Sequence, residues 1–295
     1  MARPVCLDQA SRKKIELMVK EKRSCIGGMD LPVANNLLAY CESLGLHIIQ
    51  APVSSSEENS TPQFSALYHL ARTGGEDHHF IGLNTADYHD RQLFALAHEL
   101  YHYFFASTHD SEYRICMTDD FTNKDDIEAN YFASEFLLPS SRLISLIKEW
   151  FAGDLSKEDI PTILRSIARI HLVWWLPYKS IVRKLLENKL IDETLFDRLY
   201  EEDTRSPEGQ YFKIASSLDV SSILLLNSRT SLLSLDAASL ETVISNYLGG
   251  ITEAEDFVET LKMFGKKPED LGITLVDENE YGEEASESRH QYNQQ

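Results

Sequence analysis

The sequence lacks the features that mark secreted and membrane-spanning proteins. Its four cysteines, Cys6, Cys25, Cys41 and Cys116, form no C-x-x-C pair in a chain of 295 residues, so we interpret them as reduced thiols. No apolar run approaches the ~20 residues that a membrane span needs. The first residues become polar within a dozen positions and offer no signal-peptide core. We therefore expect a soluble, cytoplasmic protein without membrane contacts.

Basic charge is also scarce. The chain has 28 Lys and Arg against 47 Asp and Glu, which gives a net charge of -19 and a pI near 4.9. An acidic surface repels phosphate backbones, which argues against direct binding of nucleic acid. The composition, with 43% hydrophobic and 25% charged residues, is typical of a folded globular protein.

The spacing of apolar residues divides the chain into four predicted parts. The first part combines short strands with helices, which predicts an α+β domain with a small sheet. The second and third parts are mainly helical, and the last part is acidic, rich in Gln and Asn, and predicted to be disordered. The four parts are residues 1–140, 141–205, 206–275 and 276–295.

Within the first part, the sequence predicts individual elements. Strands are expected at 46–51, 65–71 and 79–84, and a Gly-Gly pair makes the last two a hairpin. A strongly apolar helix is expected over 91–106, capped by Asp90, and a second helix over 125–138. A Ser-, Glu- and Pro-rich stretch at 52–63 is predicted to be a mobile loop.

The first of these helices carries His98-Glu99-Leu100-Tyr101-His102, an H-E-x-x-H pattern. Four residues advance a helix by about 400°, so His98 and His102 project from one face and can bind one ion. Glu99 is rotated by about 100° and is placed to act as a general base instead of a ligand. The helix is apolar on nearly every other side, so these polar groups need a metal or polar partners.

A catalytic zinc site takes a third protein ligand and leaves one position for water. His109 and the acidic residues of the second helix are the candidates. Glu128 stands beside the apolar residues of that helix, where a carboxylate needs a cation, so we predict Glu128 as the third ligand. Glu135, two turns further on, is the rival, and we expect it to be a solvated helix residue. Zinc suits this donor set, and Mn²⁺ or Co²⁺ stay open.

Two stretches of the sequence resemble a known family. IGLNTADYHDRQLFALAHELYHYF followed by IEANYFASEFLLP is similar to the ImmA/IrrE family of zinc-dependent metallopeptidases. That family's marks are an I-x-L-N strand, an R-Q-x-F-x-x-A-H-E-L-x-H helix, and E-x-x-A-x-x-F-A-x-x-L-L-x-P. The last mark is spaced slightly differently here. Glu128 directly precedes Ala129, so the sequence fits the form E-A-N-x-F-A and does not fit a form with more residues between the glutamate and the alanine. The residue between Leu100 and His102, often small in the family, is Tyr101.

The resemblance implies a zincin-like fold, with His98, His102 and Glu128 as zinc ligands and Glu99 as the catalytic base. It also implies a function, because family members are best known for cleaving helix-turn-helix repressors and thereby activating stress or mobile-element genes. A repressor or antitoxin of that kind is the partner we expect. The donor that stabilises the oxyanion stays open among four residues, His109, Tyr101, Tyr113 and Tyr131.

Two other functions compete with proteolysis. The chain could be a regulatory protein that sequesters a repressor without efficient cleavage, and its acidic surface suits a basic partner. The segment IARIHLVWWLPYKSIVRKLLENKLI resembles the helix-turn-helix-like helices that follow the peptidase in many relatives. Contact with DNA through Lys179, Arg183 and Lys184 would follow from that likeness. We rank this hypothesis last, because the segment carries only a weak excess of basic charge. A packing module whose basic residues are simply solvated explains the same sequence.

Overall fold

The structure, a computed structural model, has a mixed α+β fold. It describes most of the chain, and the α+β class expected from the sequence is confirmed. The predicted acidic tail at 276–295 and residues 54–63 of the predicted loop lie outside the described residues. Those described are 7–53, 64–73, 75–105, 113–117, 124–151, 155, 157–231 and 233–275.

A five-stranded mixed sheet forms one layer, with the spatial order β4-β2-β3-β1-β5. β1 is parallel to β3, and the other three pairs are antiparallel. The β2–β3 hairpin lies where the Gly-Gly pair predicts it, and β1 has the predicted bounds. The strands are β1 (Leu46–Ala51), β2 (Phe64–Thr73), β3 (Glu76–Asn84), β4 (Tyr113–Met117) and β5 (Ser234–Leu235).

One face of the sheet is buried under the helix that carries the histidines. Ile48, Ile81 and Tyr68 are register partners on three neighbouring strands, and each is at most 3% exposed. Because side chains alternate along a strand, these residues share one face. Helix α3 (His89–Phe105) packs against β2 and β3 and so covers this sheet.

Helix α4 (Lys124–Leu137) packs along α3, and α1 (Gln9–Ser24) packs on α4. The two predicted helices of the peptidase-like part therefore exist, with bounds within two residues of those expected. Arg23 near the end of α1 is fully buried and donates hydrogen bonds to the carbonyls of Phe136 and Leu31. The bond to Phe136 ties the end of α1 to the end of α4.

The N-terminus of α3 differs from the expectation, because the helix begins one residue before Asp90. Asp90 is fully buried, and both its oxygens accept hydrogen bonds at 2.9 Å from Arg205. His171 Nε2 lies 3.1 Å from the same carboxylate, and its Nδ1 lies 2.9 Å from the Tyr211 hydroxyl. Asp90 is thus a buried ion-pair partner of the helical region, and the prediction of a simple helix cap was wrong.

The rest of the described chain is mainly helical, as the spacing of its apolar residues indicates. Helices up to α9 share a hydrophobic core with the sheet, whereas α10 and α11 enclose a separate small core. The division into domains stays a prediction. None of the helices in the described ranges is long and apolar enough to cross a membrane. These remaining helices are α2 (Leu37–Ser43), α5 (Ser140–Phe151), α6 (Ile160–Trp174), α7 (Tyr178–Glu187), α8 (Glu193–Tyr200), α9 (Gln210–Leu226), α10 (Ala237–Leu248) and α11 (Ala254–Met263), with short 3₁₀ turns at Ala34–Asn36 and Pro268–Leu271.

Two charged residues that the sequence places in solvent are buried where α7 meets α4. Lys184 is 1% exposed and pairs with Glu135, which is 3% exposed and also accepts a hydrogen bond from Ser140 N at 2.9 Å. Lys179 and Arg183 both lie over the ring of Tyr200. The expectation of a solvated Glu135 was therefore wrong, and Lys184 cannot reach DNA from this position.

Candidate metal centre

Helix α3 brings the H-E-x-x-H residues into the interior of the protein. His98 is 1% exposed, Glu99 is fully buried and His102 is 4% exposed. The Nε2 atoms of His98 and His102 lie 3.2 Å apart, as expected for two residues one helical turn apart on one face. The structure therefore brings these two predicted ligands together.

A carboxylate from the first turn of α4 completes a group of three potential ligands. Asp126 Oδ1 lies 3.8 Å from His98 Nε2 and 3.6 Å from His102 Nε2. One donor atom from each residue lies within 4.8 Å of the others. With a side chain 20% exposed, Asp126 is the member of the group most accessible to solvent.

These separations fit a zinc ion. Two nitrogens that each lie about 2.0–2.1 Å from one ion at a near-tetrahedral angle are roughly 3.3 Å apart. The separation of 3.2 Å between the two Nε2 atoms matches this value, and the carboxylate is only slightly further away. Two imidazoles and one carboxylate form a donor set typical of catalytic zinc, so the residues present fit the ion that the resemblance implies.

The protonation of Asp126 follows from its neighbours. Burial on its own would raise the pKa of this carboxyl group. The nearby imidazoles of His102 and His98 outweigh burial and hold the pKa below its ordinary value. Asp126 is therefore an anion at neutral pH, the form that binds a cation.

Glu128, the predicted third ligand, lies beside this group and not in it. Its Oε2 accepts a hydrogen bond from the Tyr101 hydroxyl at 2.5 Å, and Lys124 Nζ lies 3.7 Å from its Oε1. Tyr101 is 4% exposed and packs between Phe105 and Phe132, at centroid distances of 4.6 and 5.8 Å. This arrangement therefore does not bring Glu128 together with the two histidines, and its role as a metal ligand stays a prediction.

Asp126 is the residue that sequence reasoning missed, although the sequence held two signals for it. In the E-x-x-A-x-x-F-A mark, the acidic position falls three residues before Ala129, and Asp126 stands there. Asp126 also shares a helical stripe with Ala129 and Ala133, both fully buried. Glu128 lies instead on the stripe of Phe132, where Tyr101 meets it.

The asparagine of the I-x-L-N strand has a structural role near the site. Asn84 is fully buried at the end of β3, and its amide nitrogen donates to the carbonyls of Val53 and Phe64 at 2.9 and 2.7 Å. Its Oδ1 accepts from the backbone nitrogens of Val53 and Ala86 at 2.9 and 3.0 Å. One side chain thus fixes both ends of the segment that joins β1 to β2.

Two of the candidate oxyanion donors have other partners. The Tyr131 hydroxyl donates to Glu16 Oε1 at 2.8 Å, toward α1, and Tyr101 donates to Glu128. Tyr113 lies in β4, at an edge of the described sheet. His109 lies outside the described residues.

Residues 41–151 match the sequence model of the Peptidase M78 family, described as the IrrE N-terminal-like domain. The match identifies this segment, 111 of the 295 residues, as an IrrE N-terminal-like peptidase domain, similar to that of the ImmA/IrrE metallopeptidases. The matched segment spans the sheet strands β1 to β4, both helices of the metal centre and α5. No curated protein and no solved structure matches the chain significantly.

Proposed function

We propose that this chain is a zinc-dependent endopeptidase of the ImmA/IrrE family whose metal centre is formed by α3 and α4. The convergence of His98, His102 and Asp126 on one point supports this proposal most directly. Glu99, on the same helix and fully buried, supplies a second feature, because a purely structural zinc site takes four protein ligands and needs no base.

Each residue of the site has a distinct role in this proposal. A bound zinc ion would polarise the scissile carbonyl and lower the pKa of the attacking water. Glu99 accepts a proton from the attacking water at its carboxylate and delivers that proton to the leaving amine. His98 and His102 would hold the ion, and the surrounding apolar core excludes bulk water, which strengthens the electrostatic interactions.

The third ligand is a carboxylate of α4, and the geometry favours Asp126. Its oxygen already lies near both Nε2 atoms, whereas Glu128 is engaged by Tyr101. In the described part of the chain, the group of donor atoms that lie within 4.8 Å of one another includes no oxygen of Glu128. We therefore propose Asp126 as the ligand and keep Glu128, the residue predicted from sequence, as its rival.

We further propose that the substrate is a helix-turn-helix repressor or antitoxin in a stress or mobile-element response. The support is the family whose domain residues 41–151 match and the formal charge of -19. The DNA-binding surface of a repressor is basic, so opposite charge would accelerate its encounter with this acidic chain.

Substitution Glu99→Gln tests the proposal, because it keeps the size of the side chain and removes the base. The purified chain, loaded with one equivalent of zinc, would be incubated with a helix-turn-helix protein encoded beside its gene, and cleavage followed by mass spectrometry. We expect the wild type to cleave and the variant to lose at least about 100-fold in rate. Glu149→Gln, at an exposed position on α5, is the matched control and should retain full activity.

The same experiment separates cleavage from sequestration. If the Glu99→Gln variant cleaves as fast as the wild type, hydrolysis through this site is wrong. If neither protein cleaves but both bind the repressor tightly, the regulatory binding function replaces the proposal.

A further inference from the structure

We infer that Asn130 is the positioning residue that sets the tautomer of His98 and so prepares the metal centre. Asn130 follows Asp126 by one helical turn on α4, and its Oδ1 lies 3.0 Å from His98 Nδ1. The inference rests on the proposed metal centre, and it adds a residue that touches neither the ion nor the substrate.

The chemistry of the two groups fixes which of them carries the proton. The Asn130 amide is placed with its oxygen toward the ring, and an amide oxygen only accepts hydrogen bonds, so this contact requires the hydrogen on His98 Nδ1. A neutral imidazole has one N–H, and its other nitrogen then presents a lone pair. That other nitrogen is Nε2, the atom that lies 3.2 Å from His102 Nε2 and 3.8 Å from Asp126 Oδ1.

Without this acceptor, the neutral imidazole of His98 could carry its proton on either ring nitrogen. The tautomer with the proton on Nε2 would point an N–H at the position of the ion and could not bind it. Partners of the non-ligating nitrogen raise the basicity of metal-bound histidines and fix their rings, and their loss typically costs 10- to 100-fold in metal affinity. Asn130 occupies the position of such a partner.

The placement of Asn130 also follows from helix geometry. Residues four apart lie on one helix face, so the face of α4 that presents Asp126 to the two histidines presents Asn130 to the back of His98. One helix thus supplies both a potential ligand and the residue that orients another ligand. A shift of α4 along α3 would disturb both contacts together.

Zinc affinity and imidazole protonation test this inference without measuring peptidase activity. We would compare the wild type with Asn130→Leu, which has a similar volume and no acceptor, and with Asn130→Asp, which retains one. Zinc affinity would be measured by competition with a chelator. The protonated nitrogen of His98 in the metal-free protein would be identified by ¹H–¹⁵N correlation of the imidazole rings.

We expect Asn130→Leu to weaken zinc binding 10- to 100-fold and Asn130→Asp to restore it to within about threefold of the wild type. The Nδ1–H signal of His98 should dominate in the wild type and in Asn130→Asp, and an Nε2–H signal should appear in Asn130→Leu. Asn246→Leu, the same exchange on α10, is the control and should change neither measurement. Unchanged thermal unfolding of the metal-free variants would exclude a general loss of structure.

Two outcomes would overturn the inference. One is an Asn130→Leu variant that binds zinc as tightly as the wild type, and the other is a His98 ring that keeps its proton on Nδ1 in that variant. Either could occur while Glu99 remains essential for cleavage, so the inference can fail while the proposed function stands. A wild type that binds no zinc would instead overturn the metal centre itself, and the inference with it.

Discussion

Helix α3 carries a buried cluster of acidic and basic groups near each end, and the two clusters differ in what balances the carboxylate. Near the N-terminus, the Asp90 carboxylate receives two hydrogen bonds from Arg205 and one contact from His171. Near the C-terminus, the Asp126 carboxylate faces the imidazoles of His98 and His102. One cluster contains a permanent cation of the chain, and the other consists of groups that can share an external cation.

The comparison shows that residue type alone does not separate a structural cluster from a metal centre. Both clusters combine an aspartate with histidine, and both aspartates are buried or largely so. An arginine is charged at every accessible pH, so the cluster at Asp90 is neutralised without a ligand. Imidazoles are neutral or weakly basic, so the cluster at Asp126 is one that a divalent ion could complete.

The largest effect is expected at the metal centre. Asp126→Asn should weaken zinc binding about 1000-fold, because it removes one of three ligands and the negative charge. Glu128→Gln is the matched change on the same helix and should alter zinc affinity less than about fivefold. The measurement is competition with a chelator at neutral pH. The reverse order of the two variants would make Glu128 the ligand, as the sequence predicts.

At the other cluster, Arg205→Met should lower the free energy of unfolding by about 3–5 kcal/mol, because it leaves Asp90 as a buried charge without its cation. Urea denaturation of the metal-free protein measures this loss. Arg229→Met is the control, since Arg229 and Arg205 both lie 4.1 Å from the ring centre of Tyr88 but only Arg205 pairs with Asp90. That control should cost about 1 kcal/mol or less, and equal losses would refute the role of the ion pair.

The same cluster predicts a pH dependence. Burial opposes ionisation of Asp90, but Arg205 and His171 outweigh it and lower the pKa to about 2. Because the folded-state pKa is below the ordinary value near 4, the stabilisation is complete above pH 4 and is lost as the pH falls toward 2. A shift of this size corresponds to about 2 kcal/mol. Urea midpoints at pH 5, 4, 3 and 2 should therefore fall more steeply for the wild type than for Asp90→Asn, and parallel curves would contradict the assignment.

The smallest effect is expected at the bond between Tyr101 and Glu128, which flanks the metal centre. Tyr101→Phe keeps the ring among its aromatic neighbours and removes only the hydroxyl that Glu128 accepts. The loss in stability should be about 1 kcal/mol, and zinc affinity should change less than about threefold. A gain in zinc affinity would show that Tyr101 withholds Glu128 from the ion.

The elements of the site could be predicted because they depend on local patterns. The 3.6-residue spacing of apolar side chains gave α3 and α4 within two residues, and the Gly-Gly pair gave the β2–β3 hairpin. The H-E-x-x-H spacing placed His98 and His102 on one face without knowledge of any other part of the chain. Each of these inferences needed only residues within one or two helical turns.

The choice between Asp126 and Glu128 needed more than the residues within one or two helical turns. Both are acidic residues in the first half of one helix, separated by about 200° of rotation. The spacing to Ala129 favours Asp126 and the apolar neighbours favour Glu128, and only the packing of α4 on α3 shows which of the two meets the histidines. Glu135 and Lys184 illustrate the same limit, because neither is identifiable as buried until α7 is packed on α4. Long-range pairings of this kind involve residues about 50 positions apart.

The sequence by itself determined the α+β class, the bounds of the helices that hold the metal centre and the pair of histidines one turn apart. These follow from backbone periodicity, which is a local property of the chain. Only the tertiary structure decided that Asp126 joins the histidines, that Glu128 bonds to Tyr101, that Asn130 lies behind His98 and that Asp90 pairs with Arg205. Those contacts depend on the rotation and position of one helix against another, which are set by the packing of the whole core.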